Sequence, residues 1–140
     1  MVDRSVLASR LAAIQDAVAR IREVLPPTAA VFAQDRTLRE VVVLNLFVAI
    51  QEALDLASHL LADQGKLVPS SYRTMFDLLA QEGILAEDLA RELASAAGLR
   101  NLIAHRYGAL DWALVHEIAA TRLHVLEAFC AVIAQDVSST

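Results

Sequence analysis

Leu7, Leu11, Ile14, Val18, Ile21 and Leu25 recur at alternating steps of four and three residues. That spacing follows one face of an α-helix and does not fit a strand, whose faces alternate every second residue. A chain that begins this way must bury a helical stripe against other helices, and the remaining sequence supplies them. Pro26-Pro27 ends the first segment, which we bound at residues 3–25. A second runs over 38–64, with Thr37 and Glu40 at capping-box spacing and Gly65 at its exit. Its first half is apolar nearly all round, which predicts a central helix, buried on several faces or by a second subunit. A third follows Pro69, with Ser70 or Ser71 as N-cap, Gly83 as its end, and Met75, Leu78 and Leu79 on its apolar side. A fourth starts near 86, where Glu87 and Asp88 suit the positive helix end, and continues to 107 with Gly108 as its exit residue. Gly98 lies inside it and either weakens it or admits a close neighbour. Asp111 can cap a fifth, over 111–136, whose inward face carries Trp112, Val115, Ile118, Leu126, Phe129 and Ile133. Residues 138–140 read as a frayed end.

No strand signal, linker or repeat interrupts this pattern, so residues 1–140 are expected to form one all-α domain, an up-and-down bundle of about five helices. The most apolar run, Val41 to Ile50, falls short of the ~20 residues that cross a bilayer. No secretory leader is visible at the N-terminus. The single Cys130 excludes an internal disulfide and reads as a small buried hydrophobe. A cytoplasmic protein without a membrane role is expected. The net charge of -5 argues against loose nucleic-acid binding through bulk charge, but leaves room for a local basic site. Such a site would be built from arginine, since Lys66 is the only lysine.

Arg100-Asn101-Leu102-Ile103-Ala104-His105-Arg106-Tyr107 sets a cation, an amide, an imidazole and a phenol near a helix end. Arg100 and His105, five apart, point well over a right angle apart on a helix, while Asn101 and His105 share a face and Arg100 nearly aligns with Tyr107. One copy makes half a pocket; two copies across a two-fold axis would close a cleft. The set suits RNA cleavage without a metal. Histidine is the side chain best suited to proton transfer near neutrality. Arginine clamps phosphate oxygens and opposes the charge of a phosphorane. Asn101 could orient His105 or a phosphate. No carboxylate or cysteine stands in the motif to hold a metal. The structural alternative is that these residues merely favour a helix C-terminus, with Arg100 paired to Glu92 or Asp111.

The flanks favour chemistry. Asn45 through Leu60, then Pro69-Ser70-Ser71-Tyr72, then Phe76 through Leu85, the motif, and finally Leu110-Asp111-Trp112 resemble the HEPN superfamily, and closely its HepT-like toxins, over residues 40–129. The resemblance implies a small helical homodimeric endoribonuclease, the toxin of a bacterial toxin–antitoxin pair. It implies Arg100 and His105 as the catalytic pair. Its antitoxin partner would be a minimal nucleotidyltransferase (MntA-like) that uses ATP to place AMP on Tyr107; the toxin itself would need no cofactor. A nucleotide there would add bulk and negative charge and would block RNA. Asp55 and His59, four apart on the second helix, belong to the same resemblance and either support the cleft or form an internal hydrogen-bonded pair. His116 and His124 read as packing or solvent-facing groups. Trp112 reads as core or dimer interface, with no basic or aromatic company that would make it a stacking platform. Two other functions fit the same bundle: a non-catalytic subunit that binds nucleotide or substrate for a nucleotidyltransferase, and a plain dimerisation module.

Overall fold

The computed structural model describes residues 3–138, and there the chain is a bundle of seven α-helices. Helix α1 (Arg4–Val24) begins at Asp3, whose carboxylate accepts from the Ser5 N–H at 2.8 Å, and ends before the two prolines. Thr28 then caps a six-residue helix that the sequence pattern did not reveal, α2 (Ala29–Gln34). Six residues are too few to display a period. What holds α2 is Phe32, fully buried.

The central helix is α3 (Arg36–Asp63). Its cap is Asp35 rather than Thr37: Asp35 accepts from the Leu38 N–H at 3.1 Å, and Glu40 binds Arg36 instead of closing a capping box. Helix α3 touches every other α-helix, and α1 lies along it most extensively. Taken with its flanks, α3 has the length and composition of a membrane span, which counting the uninterrupted apolar run had concealed. Half of its most apolar window is buried against neighbouring helices, the position of a bundle's core helix.

Helices α4 (Tyr72–Gln81) and α5 (Glu87–His105) form the next hairpin. Helices α3 and α4 leave through Gly65 (φ 72°) and Gly83 (φ 77°), left-handed positions where a Cβ would be strained. In each case the following residue donates back five positions, Lys66 to Leu61 and Ile84 to Leu79, closing a Schellman motif. Helix α5 stops at His105, two residues earlier than expected, because Arg106 takes a non-helical conformation (φ -141°, ψ 45°). Tyr107–Ala109 form a single 3-10 turn. Gly108 lies within that turn without a positive φ, so it is not a helix exit. Leu110 then inserts into the core and fixes where the next helix starts.

The expected fifth helix is two. Helix α6 (Trp112–Thr121) is capped by Asp111, and α7 (Leu123–Ser138) follows a break at Arg122. The Thr121 hydroxyl donates to the Glu117 carbonyl at 2.7 Å, and the His124 ring engages the Thr121 carbonyl at 3.0 Å. Side chains thus take up carbonyls that a continuous helix would use, which bends or breaks helices. Of the expected frayed end, Ser138 closes α7 and the last two residues lie outside those described. One apolar cluster joins all seven helices, with Phe76 set edge-on against Phe129 at its centre. Among the described residues no polar or charged residue is fully buried. Cys130 is buried and free, and burial raises its thiol to a pKa of about 11.

Candidate active site at the end of α5

Arg100 is the anchored member of the motif. Its Nε–H donates to Oε1 of Gln51 on α3 at 2.7 Å, and its Nη1 donates to Oδ1 of Asn101 at 3.0 Å. Its guanidinium carbon lies 5.3 Å from the Phe47 ring centroid and 5.9 Å from that of Tyr72. All four partners are uncharged, so Arg100 is held without being neutralised. The pairing with Glu92 or Asp111 does not form: Glu92 binds Arg122 at 3.3 Å, and Asp111 caps α6. Asn101 thus orients Arg100 through its Oδ1, and among the described residues it makes no hydrogen bond to His105.

Behind Gln51 runs a polar chain. Its Nε2 donates to Oδ1 of Asp55 at 3.1 Å, and Arg10 of α1 donates to both Asp55 (3.2 Å) and Glu52 (2.9 Å). Asp55 thus supports Arg100 through Gln51. It does not pair with His59: its two oxygens are taken by Gln51 and Arg10, and His59 is exposed. The sequence reading missed Gln51 and Arg10. The four-residue step from Gln51 to Asp55 was the available signal for the first; nothing local marks the second.

His105 is exposed at the last position of α5, and among the described residues nothing holds its ring. Tyr107, 42% exposed, rests on the edge of Trp112 with centroids 5.8 Å apart. Trp112 also carries Arg39 over its ring at 4.8 Å and meets Phe32 at 6.2 Å. It therefore does have basic and aromatic company, contributed by α2, α3 and the 3-10 turn, which no local reading of its flanks could reveal. Phe32 also packs on His116, whose Nε2 lies 2.8 Å from the Pro26 carbonyl. The motif lies apart from an apolar cleft of about 240 Å³ between α3, α5, α6 and α7, lined by Leu46, Ile50, Leu99 and Ile118.

A protein-family model, Ribonuclease HepT-like, matches residues 14–133. The mRNA nuclease HepT of Shewanella oneidensis is 32% identical over 128 residues, covering 91% of this chain and 96% of its own length. Among solved structures, the tri-AMPylated Shewanella oneidensis HEPN toxin in complex with MNT antitoxin superposes with a TM-score of 0.86 at 32% identity. It covers 96% of this chain and 99% of that one. A toxin–antitoxin structure with AMP-PNP gives 0.86 at 30% identity, over 94% of this chain and 98% of that one.

Proposed function

The chain belongs to the HepT-like ribonuclease family, and from that premise we propose that it is the toxin of a toxin–antitoxin pair, a metal-independent endoribonuclease working through Arg100 and His105. The observation that carries this reading is the uncancelled charge of Arg100, fixed by Gln51 and Asn101 on the same helix as an exposed, unengaged His105. Cleavage begins when a base removes the proton of a ribose 2′-hydroxyl and its oxygen attacks the adjoining phosphorus. Arg100 binds the phosphate oxygens and opposes the added charge of the phosphorane. The leaving 5′-oxygen takes a proton. His105 is the group that moves a proton in either step.

One chain carries one His105, and two proton transfers are best served by two groups. A homodimer would bring a second motif across a two-fold axis. In support, Leu44 is 61% exposed, and it lies on the α3 stripe that continues through Phe47 and Gln51 to Asp55. An exposed leucine beside the residues that hold Arg100 suits a surface that a second copy covers.

Tyr107 is the residue we assign to control. Its oxygen would attack the α-phosphorus of ATP on a nucleotidyltransferase antitoxin, losing its proton as pyrophosphate leaves. The AMPylated state and antitoxin complex of the Shewanella toxin, and the AMP-PNP in the related complex, support ATP as the nucleotide. The adduct would put a negative charge and a bulky group beside the cleft. A protein acting on messenger RNA in this way works in the cytoplasm and needs no membrane.

The test is cleavage of labelled single-stranded RNA in EDTA by the purified protein, beside Arg100→Ala and His105→Ala. A mass spectrum first establishes that Tyr107 is unmodified. Cleavage by wild type alone is expected. Undiminished cleavage by both variants would sink the assignment, and intact RNA with unmodified wild type would favour a non-catalytic binding subunit.

A further inference from the structure

Arg39 is an arginine that this chemistry leaves unused. It lies in the first turn of α3, and its guanidinium carbon sits 4.8 Å from the Trp112 ring centroid. Among the described residues no carboxylate reaches it, and its Nε is buried without an acceptor. Of the acids nearby in sequence or on Trp112's own helix, Glu117 makes no ion pair with Arg39 among the described residues, and the other three are committed elsewhere. Asp35 caps α3, Glu40 binds Arg36 at 2.7 Å, and Asp111 caps α6. Arg10 also has a buried Nε without an acceptor, but its Nη1 meets two carboxylates. Arg39 has its cation–π contact and no anion.

A guanidinium held over an indole is weakly hydrated, and with Nε buried it is the two Nη groups of Arg39 that remain open to donate. That fork matches two oxygens of one phosphate. The same indole also carries Tyr107, edge-on at 5.8 Å. A second cation stands close by: Arg36 is held in its charged form first by Glu40 and to a smaller extent by Tyr107.

We propose that Arg39, braced on Trp112, is a binding subsite for a phosphodiester beside Tyr107, separate from the Arg100 clamp. The inference rests on the ribonuclease reading for the source of that ligand. The phosphodiester belongs either to the RNA backbone or to the bond joining an adenylate to Tyr107.

Binding separates these from each other and from cleavage. Fluorescent single-stranded RNA is titrated against full-length His105→Ala protein, with and without Arg39→Gln, from about 50 to 200 mM salt. Loss of one phosphate contact lowers the slope of log affinity against log salt by ~0.7. Arg39→Lys should keep that slope while weakening binding several-fold, because charge survives without the fork. It also serves as the second variant if Arg39→Gln does not fold. Arg20→Gln removes an equal charge from an exposed site on α1. In a parallel arm, wild type and Arg39→Gln are AMPylated with ATP and the cognate nucleotidyltransferase, and their thermal midpoints are compared with the unmodified proteins.

A reduced slope with Arg39→Gln alone supports the RNA backbone as ligand. An unchanged slope, with AMP stabilising wild type but not Arg39→Gln, supports the adduct. No difference in either arm overturns the subsite, while RNA binding by the parent protein leaves the ribonuclease reading intact. An equal effect of Arg20→Gln also overturns it, because bulk charge then suffices. Failure of the parent to bind RNA at all removes the ribonuclease reading and the RNA backbone as ligand, and the AMPylation arm alone then decides the subsite.

Discussion

Gln51 spends both ends of its amide on the site: Oε1 accepts from Arg100 at 2.7 Å, and Nε2 donates to Asp55 at 3.1 Å. The two bonds together dictate which way the amide faces. Arg100 is aimed by a neutral group, so its charge is not cancelled. Replacing Gln51 by Leu should lower kcat about fivefold with little change in KM, since one positioning hydrogen bond contributes ~1 kcal/mol. Gln51→Glu keeps an acceptor for Arg100 but sets a carboxylate against Asp55, and should fall between Leu and wild type. Single-turnover RNA cleavage measures both; full activity in Gln51→Leu would remove Gln51 from the positioning role.

Arg10 ties α1 to this same chain through Glu52 and Asp55, with all three side chains only partly exposed. Arg10→Met leaves two neighbouring carboxylates without their cation. The expected loss is about 1–2 kcal/mol of stability, read as a lower urea midpoint at unchanged m. The loss should shrink at acid pH, where carboxylates protonate.

Gly98 sits on an exposed part of α5, and a Cβ added there would meet nothing within 4 Å. The close neighbour considered for it is absent among the described residues. Gly98→Ala should therefore stabilise the protein by about 0.5–1 kcal/mol, through the entropy of the unfolded chain and the helix propensity of alanine. Thermal unfolding checks this, and sedimentation adds a second result. A weakened dimer in this variant would mean that a second copy packs its backbone here.

Cys130 is protonated far above the usual thiol range because burial penalises the thiolate, raising its pKa to about 11, with Glu127 adding to the effect. A raised folded value contributes stability that is complete below the unfolded value near 9 and is lost as pH rises towards 11. Wild type should therefore lose stability between those values more steeply than Cys130→Ala. At pH 8 the native thiol should react with a disulfide reagent only as fast as the protein opens. Rapid stoichiometric labelling of folded protein would contradict that burial.

The long helices were legible because each carries its own period and punctuation. Leu7 to Leu25 mark α1, and the exits at Gly65 and Gly83 need a residue free to adopt positive φ. What escaped detection depends on contacts between distant segments. Helix α2 exists because Phe32 finds Trp112 and His116, more than 75 residues away. The break at Arg122 arises from hydroxyl and imidazole bonds to carbonyls, with no proline or glycine to announce it. At the site, the residues proposed for the chemistry stand in one contiguous stretch, where the sequence alone could propose them. Their supports on α1 and α3 become visible only when the helices pack.

The end of α5 at His105 divides the motif into two mechanical regimes. Arg100 lies on a rigid rod and is braced from a second helix. Tyr107 has left the rod and stands on a single turn, touching the bundle through one ring. A group can be added to its oxygen without disturbing any backbone hydrogen bond of α5, and removed again with the rod unchanged. On the proposed reading, the working part would be silenced as a lamp is shaded, by something set in front of it rather than by taking it apart.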